Sequence, residues 1–145
     1  MSLTAVVALG IATFFTLYSL IPVMNADNPG LSSLFSGTMM AFVMGVQVFT
    51  PALIRRLSLR LVLAATATLL GVGALSATRS DGWILLVIGG AVSGAAFGIL
   101  VVDGTQGVAL LVPTNRMARA LGTFGLVTMA SSALLSPAGV QLALT

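Results

Sequence analysis

Five stretches of this 145-residue chain carry no charge and are long enough to cross a bilayer as helices, which constrains the fold more than any other feature. The nine charged residues are Asp27, Arg55, Arg56, Arg60, Arg79, Asp81, Asp103, Arg116 and Arg119. Between them lie uncharged runs over residues 1–26, 28–54, 61–78, 82–102 and 120–145, whereas the run 104–115 is too short. A hydrocarbon core about 30 Å thick takes about 20 helical residues. Inside it every backbone N–H and C=O must pair within the spanning element, so a span is a helix or part of a closed barrel. These runs are apolar on all sides rather than alternating, which selects helices. With 58% of residues apolar and only 6% charged, a water-soluble domain and a disordered chain are both excluded.

The spacing therefore predicts an all-α fold, a polytopic membrane helix bundle of about five transmembrane helices forming one domain over residues 1–145. The spans lie near 3–24, 32–53, 61–78, 83–102 and 120–142. The first run lacks a basic leading segment and is longer than the apolar part of a signal peptide, so it reads as a permanent span. Asn25 to Gly30 and Ser80-Asp81-Gly82 are turn sequences, and Trp83 opens the fourth span at an interface-favoured position. The loops after spans 2 and 4 hold Arg55, Arg56, Arg60, Arg116 and Arg119, against Arg79 alone on the other side. The positive-inside rule puts these loops and the N-terminus in the cytoplasm, with the chain in the plasma or inner membrane of the cell.

His, Cys, Lys and Glu are absent. Zinc sites, cysteine or histidine-activated nucleophiles, P-loop lysines and paired glutamates have no residues to build them, so no enzyme activity, catalytic residue, metal or cofactor is expected. The scattered arginines do not form the basic face that nucleic acid requires. Gly90, Gly94 and Gly98 recur every fourth position, a spacing that lets helices approach closely in lipid. Gln47 is an amide that cannot satisfy itself on its own helix as Ser and Thr do. With Thr13, Tyr18 and Ser93 it is a candidate for lining a cavity. Pro137 interrupts the fifth span and acts as a packing kink or a hinge. Asp103 lies about 30 Å along the helix from Trp83, at the cytoplasmic boundary. Two readings stand side by side: it pairs with Arg55, Arg56 or Arg60 and latches spans 2 and 4, or it is a hydrated residue capping a Gly104-Thr105 turn. In either reading no acid lies at mid-membrane.

The pattern resembles the N-terminal half of a major facilitator superfamily transporter. The stretch Phe49-Thr50-Pro51-Ala52-Leu53-Ile54-Arg55-Arg56-Leu57-Ser58-Leu59-Arg60 is similar to the loop called motif A, with Arg55 at the arginine after the motif's acid and Arg60 at the end of its trailing basic pair. Ile54, Leu57 and Thr50 stand where the family has Asp, Gly and the first Gly. Gly90, four residues before Gly94, replaces the arginine of motif B that the family links to proton coupling. Val112-Pro113-Thr114-Asn115-Arg116-Met117-Ala118-Arg119-Ala120-Leu121-Gly122 resembles the family's run of Pro, three residues, Arg, then Ala and Gly. Ala133-Leu134-Leu135-Ser136-Pro137-Ala138-Gly139 resembles motif C of drug/proton antiporters, with Ser136 in place of Gly. In the family the acid at the end of span 4 engages the motif A basics, which favours the latch.

The resemblance covers five of the family's twelve spans and implies an N-terminal fragment of a small-molecule efflux transporter. Its expected partners are the bilayer, an unknown small-molecule substrate, and either the missing C-terminal helix bundle or another membrane protein. The alternative is a small or truncated membrane protein that does not transport and acts through helix–helix contacts. Because the chain has no cysteine, a single Arg56→Cys should react with a membrane-impermeant maleimide only after cells are opened. Labelling of intact cells would reverse the assigned topology.

Overall fold

The computed structural model describes residues 3–78 and 82–144, and the expected Ser80-Asp81-Gly82 turn, with Arg79, falls mostly outside them. Five long helices follow one another: α1 (Leu3–Met24), α2 (Pro29–Ile54), α3 (Leu59–Thr78), α4 (Trp83–Leu111) and α5 (Met117–Leu144). Among the described residues there is no strand. All five helices are long and apolar enough to cross a membrane, so the fold is an all-α, multi-pass membrane bundle.

Local chemistry sets the helix ends. Asn28 accepts a hydrogen bond from the Leu31 amide at 3.3 Å, and Pro29 supplies a first-turn residue whose missing N–H is not needed. The Asn25 side chain donates to the Ile21 carbonyl at 3.0 Å, and Ser32 Oγ donates to the Asn25 carbonyl at 3.3 Å, which tightens the α1–α2 turn. Pro29 and Gly30 thus begin α2 rather than belong to the turn. Between α4 and α5 the Pro113 carbonyl accepts from the Arg116 amide at 2.9 Å and closes a 3-10 turn over Thr114–Arg116. α4 runs to Leu111, well past the end expected at Val102. α5 is helical through Pro137. Thr13, Thr16, Thr50, Thr66 and Thr68 each donate to the carbonyl four residues back, which satisfies their hydroxyls without a partner helix.

α4 is the axle of the bundle, and its main neighbours are α2 and α3, while α5 packs on α1. A Cβ at Gly90 would lie 3.1 Å from the Phe35 ring, one at Gly94 would fall on the Met39 carbonyl, and one at Gly98 would lie 2.7 Å from the Val43 carbonyl. The three glycines therefore form the surface on which the α2 backbone rests. Because Phe35, Met39 and Val43 meet Gly90, Gly94 and Gly98 in turn, α2 and α4 run in the same direction with a fixed register. A second seam carries α3, where Gly89 abuts the Ala77 amide and Gly73 abuts Ser93. α1 crosses α4 in the opposite direction, Gly10 facing Leu100 and Val7 facing Gly104, with Phe14 stacked on Phe97 at 3.7 Å between ring centres.

The outside is as apolar as the inside. Met44, Val48, Phe49, Leu110, Leu126 and Leu134 are exposed, a surface that water would not tolerate and that lipid solvates. Gly94→Ala should destabilise the bundle in detergent by about 1–3 kcal/mol, the usual scale for forcing atoms into a packed interface. Gly125→Ala, where nothing lies within 4 Å, should leave the melting temperature unchanged. Equal melting of the two variants would show that α2 does not rest on α4 as described.

Candidate functional site

The inner face of α4 is a stripe of Gly89, Ser93, Ala96, Leu100, Asp103 and Gly107, all buried and spaced alternately four and three residues apart. Five are small or apolar, as a lipid-embedded seam requires. The sixth is a carboxylic acid. Asp103 is 0% exposed, and neither of its carboxyl oxygens has a hydrogen-bond partner; Ser93 Oγ, on the same stripe, is also buried without one. Among the described residues Asp103 is the one acid inside a membrane-spanning helix, because Asp27 sits in the α1–α2 turn.

This arrangement corrects two expectations. The register that brings Met39 to Gly94 makes Asp103 level with Val48 and Arg55 level with Leu110. Arg55 is thus seven residues, about 10 Å, nearer the end of the bundle than Asp103. Arg55, Arg56 and Arg60 are exposed, and no arginine among the described residues reaches the carboxyl group. The latch is therefore not formed in this structure. The alternative, a cap on a Gly104-Thr105 turn, also fails, since both residues continue the helix and Thr105 Oγ1 donates to the Val101 and Val102 carbonyls at 3.0 and 2.9 Å. The physical reason is common to both. An acid and a glycine interrupting an apolar run look like a helix end, but packing against α1 and α5 around Val7 and Phe124 keeps this stretch helical.

Depth follows from the same geometry. α4 is centred near Phe97, where α1 crosses it. Six residues on, Asp103 lies about 9 Å from that level, inside a hydrocarbon half-thickness of about 15 Å. Asp103 thus lies within the fourth span rather than at the expected boundary, because α4 continues to Leu111. A carboxyl group so placed is costly to hold charged without a partner.

The cavity candidates do not share one chamber. Gln47 is half-buried on α2, level with Val102 and so beside Asp103 in depth. Tyr18 is half-buried against the core and lies parallel to the Phe14 ring at 6.4 Å. Ser93 belongs to the α3–α4 seam. Thr13 lies on the opposite side of α1, where it lines a cleft of about 300 Å³ with Gly10, Leu70 and Gly71 and another of about 270 Å³ with Ala74 and Leu135. Pro113 sets the turn that brings exposed Arg116 and Arg119 to the head of α5. Pro137 is exposed on α5, and the surroundings of Ser136 and Gly139 lie outside the described residues. Sequence reasoning missed Gly73 and Gly89, whose role depends on which helix each faces.

An unpartnered carboxyl group adds nothing to folding, so Asp103→Leu should melt no lower than the parent in detergent. A loss of about 3 kcal/mol or more, the scale for breaking a buried ion pair, would reveal a partner for Asp103.

No family model, curated protein or solved structure matches this chain.

Proposed function

We propose that the chain is the N-terminal portion of a major facilitator superfamily transporter that exports a small molecule. It sits in the plasma or inner membrane with its N-terminus in the cytoplasm. The observation that carries this reading is the pairing of the helices. α4 has α2 as its parallel partner and α1 has α5, while α1 and α4 cross each other in opposite directions. Exchanging α1 for α4 and α2 for α5 leaves that scheme unchanged, as expected of the inverted repeats on which such transporters are built. The motif-like segments Arg55 to Arg60, Pro113 to Gly122 and Ser136 to Gly139 fall at helix connections and on α5.

In this reading Asp103 is the group that a proton or a cationic substrate engages, and Gln47, level with its neighbour Val102, supports a polar path on the same side of the midplane. Arg55, Arg56 and Arg60 approach Asp103 only in another conformation, which fits a bundle that rocks during alternating access. The second reading, a non-transporting bundle that acts through helix contacts, predicts no water at these positions.

Single cysteines at Tyr18 and Gln47 test the choice without knowledge of the substrate. In native membranes both should react with an impermeant maleimide faster than Met44→Cys, which faces outward. If neither reacts while a control at Asn28 does, the cavity is absent and the non-transporting reading stands.

A further inference from the structure

The connection between α4 and α5 borders two clefts that meet. The deeper, about 500 Å³, is lined by Thr4, Val108, Leu111, Phe124 and Val127; the outer, about 470 Å³, is lined by Arg116 and Arg119. Val112, Ala120 and Thr123 line both, so the two are compartments of one groove, apolar within and cationic at its mouth.

Among the described residues the mouth has no counter-charge. Both arginines are exposed, Asp103 is buried on α4, and Asp27 lies at the opposite end of the bundle because α2 and α4 run the same way. Thr123 Oγ1 donates to the Arg119 carbonyl at 2.9 Å, so its proton is already committed and the guanidinium groups are the charged donors at the mouth. Arg116 closes the 3-10 turn and Arg119 lies in the first turn of α5; both line the same outer cleft, where the amino end of a helix also favours negative charge. A planar guanidinium matches phosphate oxygens in pairs. The groove therefore presents, in order, what one molecule requires: a cationic clamp for a phosphate at the membrane surface, then an apolar slot leading toward the hydrocarbon.

We propose that this groove is a binding site for an anionic phospholipid, with the headgroup phosphate on Arg116 and Arg119 and the start of an acyl chain between Val108 and Phe124. Basic pockets between membrane helices suit such headgroups, and each arginine at the surface contributes about fivefold in affinity. The site is independent of any transport activity.

Native mass spectrometry of the full chain in mild nonionic detergent tests this with phosphatidylglycerol, phosphatidylcholine and inorganic phosphate. Phosphatidylglycerol should be retained in preference to phosphatidylcholine, and Arg116→Gln/Arg119→Gln should lower its affinity by about 25-fold. Ala120→Leu, which keeps both charges but fills the neck, should weaken it as well. Melting curves without lipid check that the variants are folded, and Ala120→Val replaces Ala120→Leu if the latter is not. Equal retention of the two lipids, no loss in the arginine variant, or full retention when the neck is filled would each overturn the proposal. So would inorganic phosphate competing as well as the lipid, which would make this a soluble-anion site, or a dimer dissociated by filling the neck, which would assign the groove to a second copy.

Discussion

Close backbone approach along α4 underlies the other features of the bundle. Lipid gives helices no hydrophobic reason to associate, so the interior must be built from contacts that only small residues allow. Gly90, Gly94 and Gly98 admit the α2 backbone, while Gly89, with Gly73 opposite, admits α3. With two helices seated on glycine, the larger core side chains have well-defined places: Phe35 and Met39 pack with Phe14 and Ile21, and Leu100 packs with Val7 and Phe124. The direction of α2 relative to α4 and the depth of every polar group then follow from one register.

That register is what makes Asp103 unusual. A carboxyl group on a glycine-rich seam cannot turn toward lipid, because the seam faces other helices, and it forms no hydrogen bond with the loop arginines: Arg55 is about 10 Å away along the axis, and Arg56 and Arg60 are exposed on the outside of the bundle. It is held where it forms no hydrogen bond, although an acid inside a membrane-spanning helix is costly. The groove at the α4–α5 turn is the opposite case, with cations at the surface and an apolar interior behind them, an arrangement for holding a lipid still rather than for passing a solute.

Much of the fold was legible in the sequence because the physics that sets it is local. The ends of α1 at Met24 and of α3 at Thr78 and the start of α4 at Trp83 follow from where charge and turn residues stop an apolar run. The far end of α4 is hidden in the sequence for the same reason, since Asp103 and Gly104 resemble a boundary and only tertiary contact with Val7 and Phe124 overrides the resemblance. The arginine positions and the isolated acid could be read directly, but their separation in depth could not. Nor could the difference between Gly73, which closes on α4, and Gly71, which opens onto a cleft, since facing is a property of the packed pair.

The account rests on α4 being one uninterrupted, membrane-buried helix through Asp103. Amide hydrogen exchange of the chain in lipid nanodiscs measures this directly. It should find residues 86–108 protected as a single block, those flanking Asp103 included, with rapid exchange confined to 112–116. Fast exchange beginning at 103 would place the helix end where the charge stands, return the carboxyl group to water, and contradict the account.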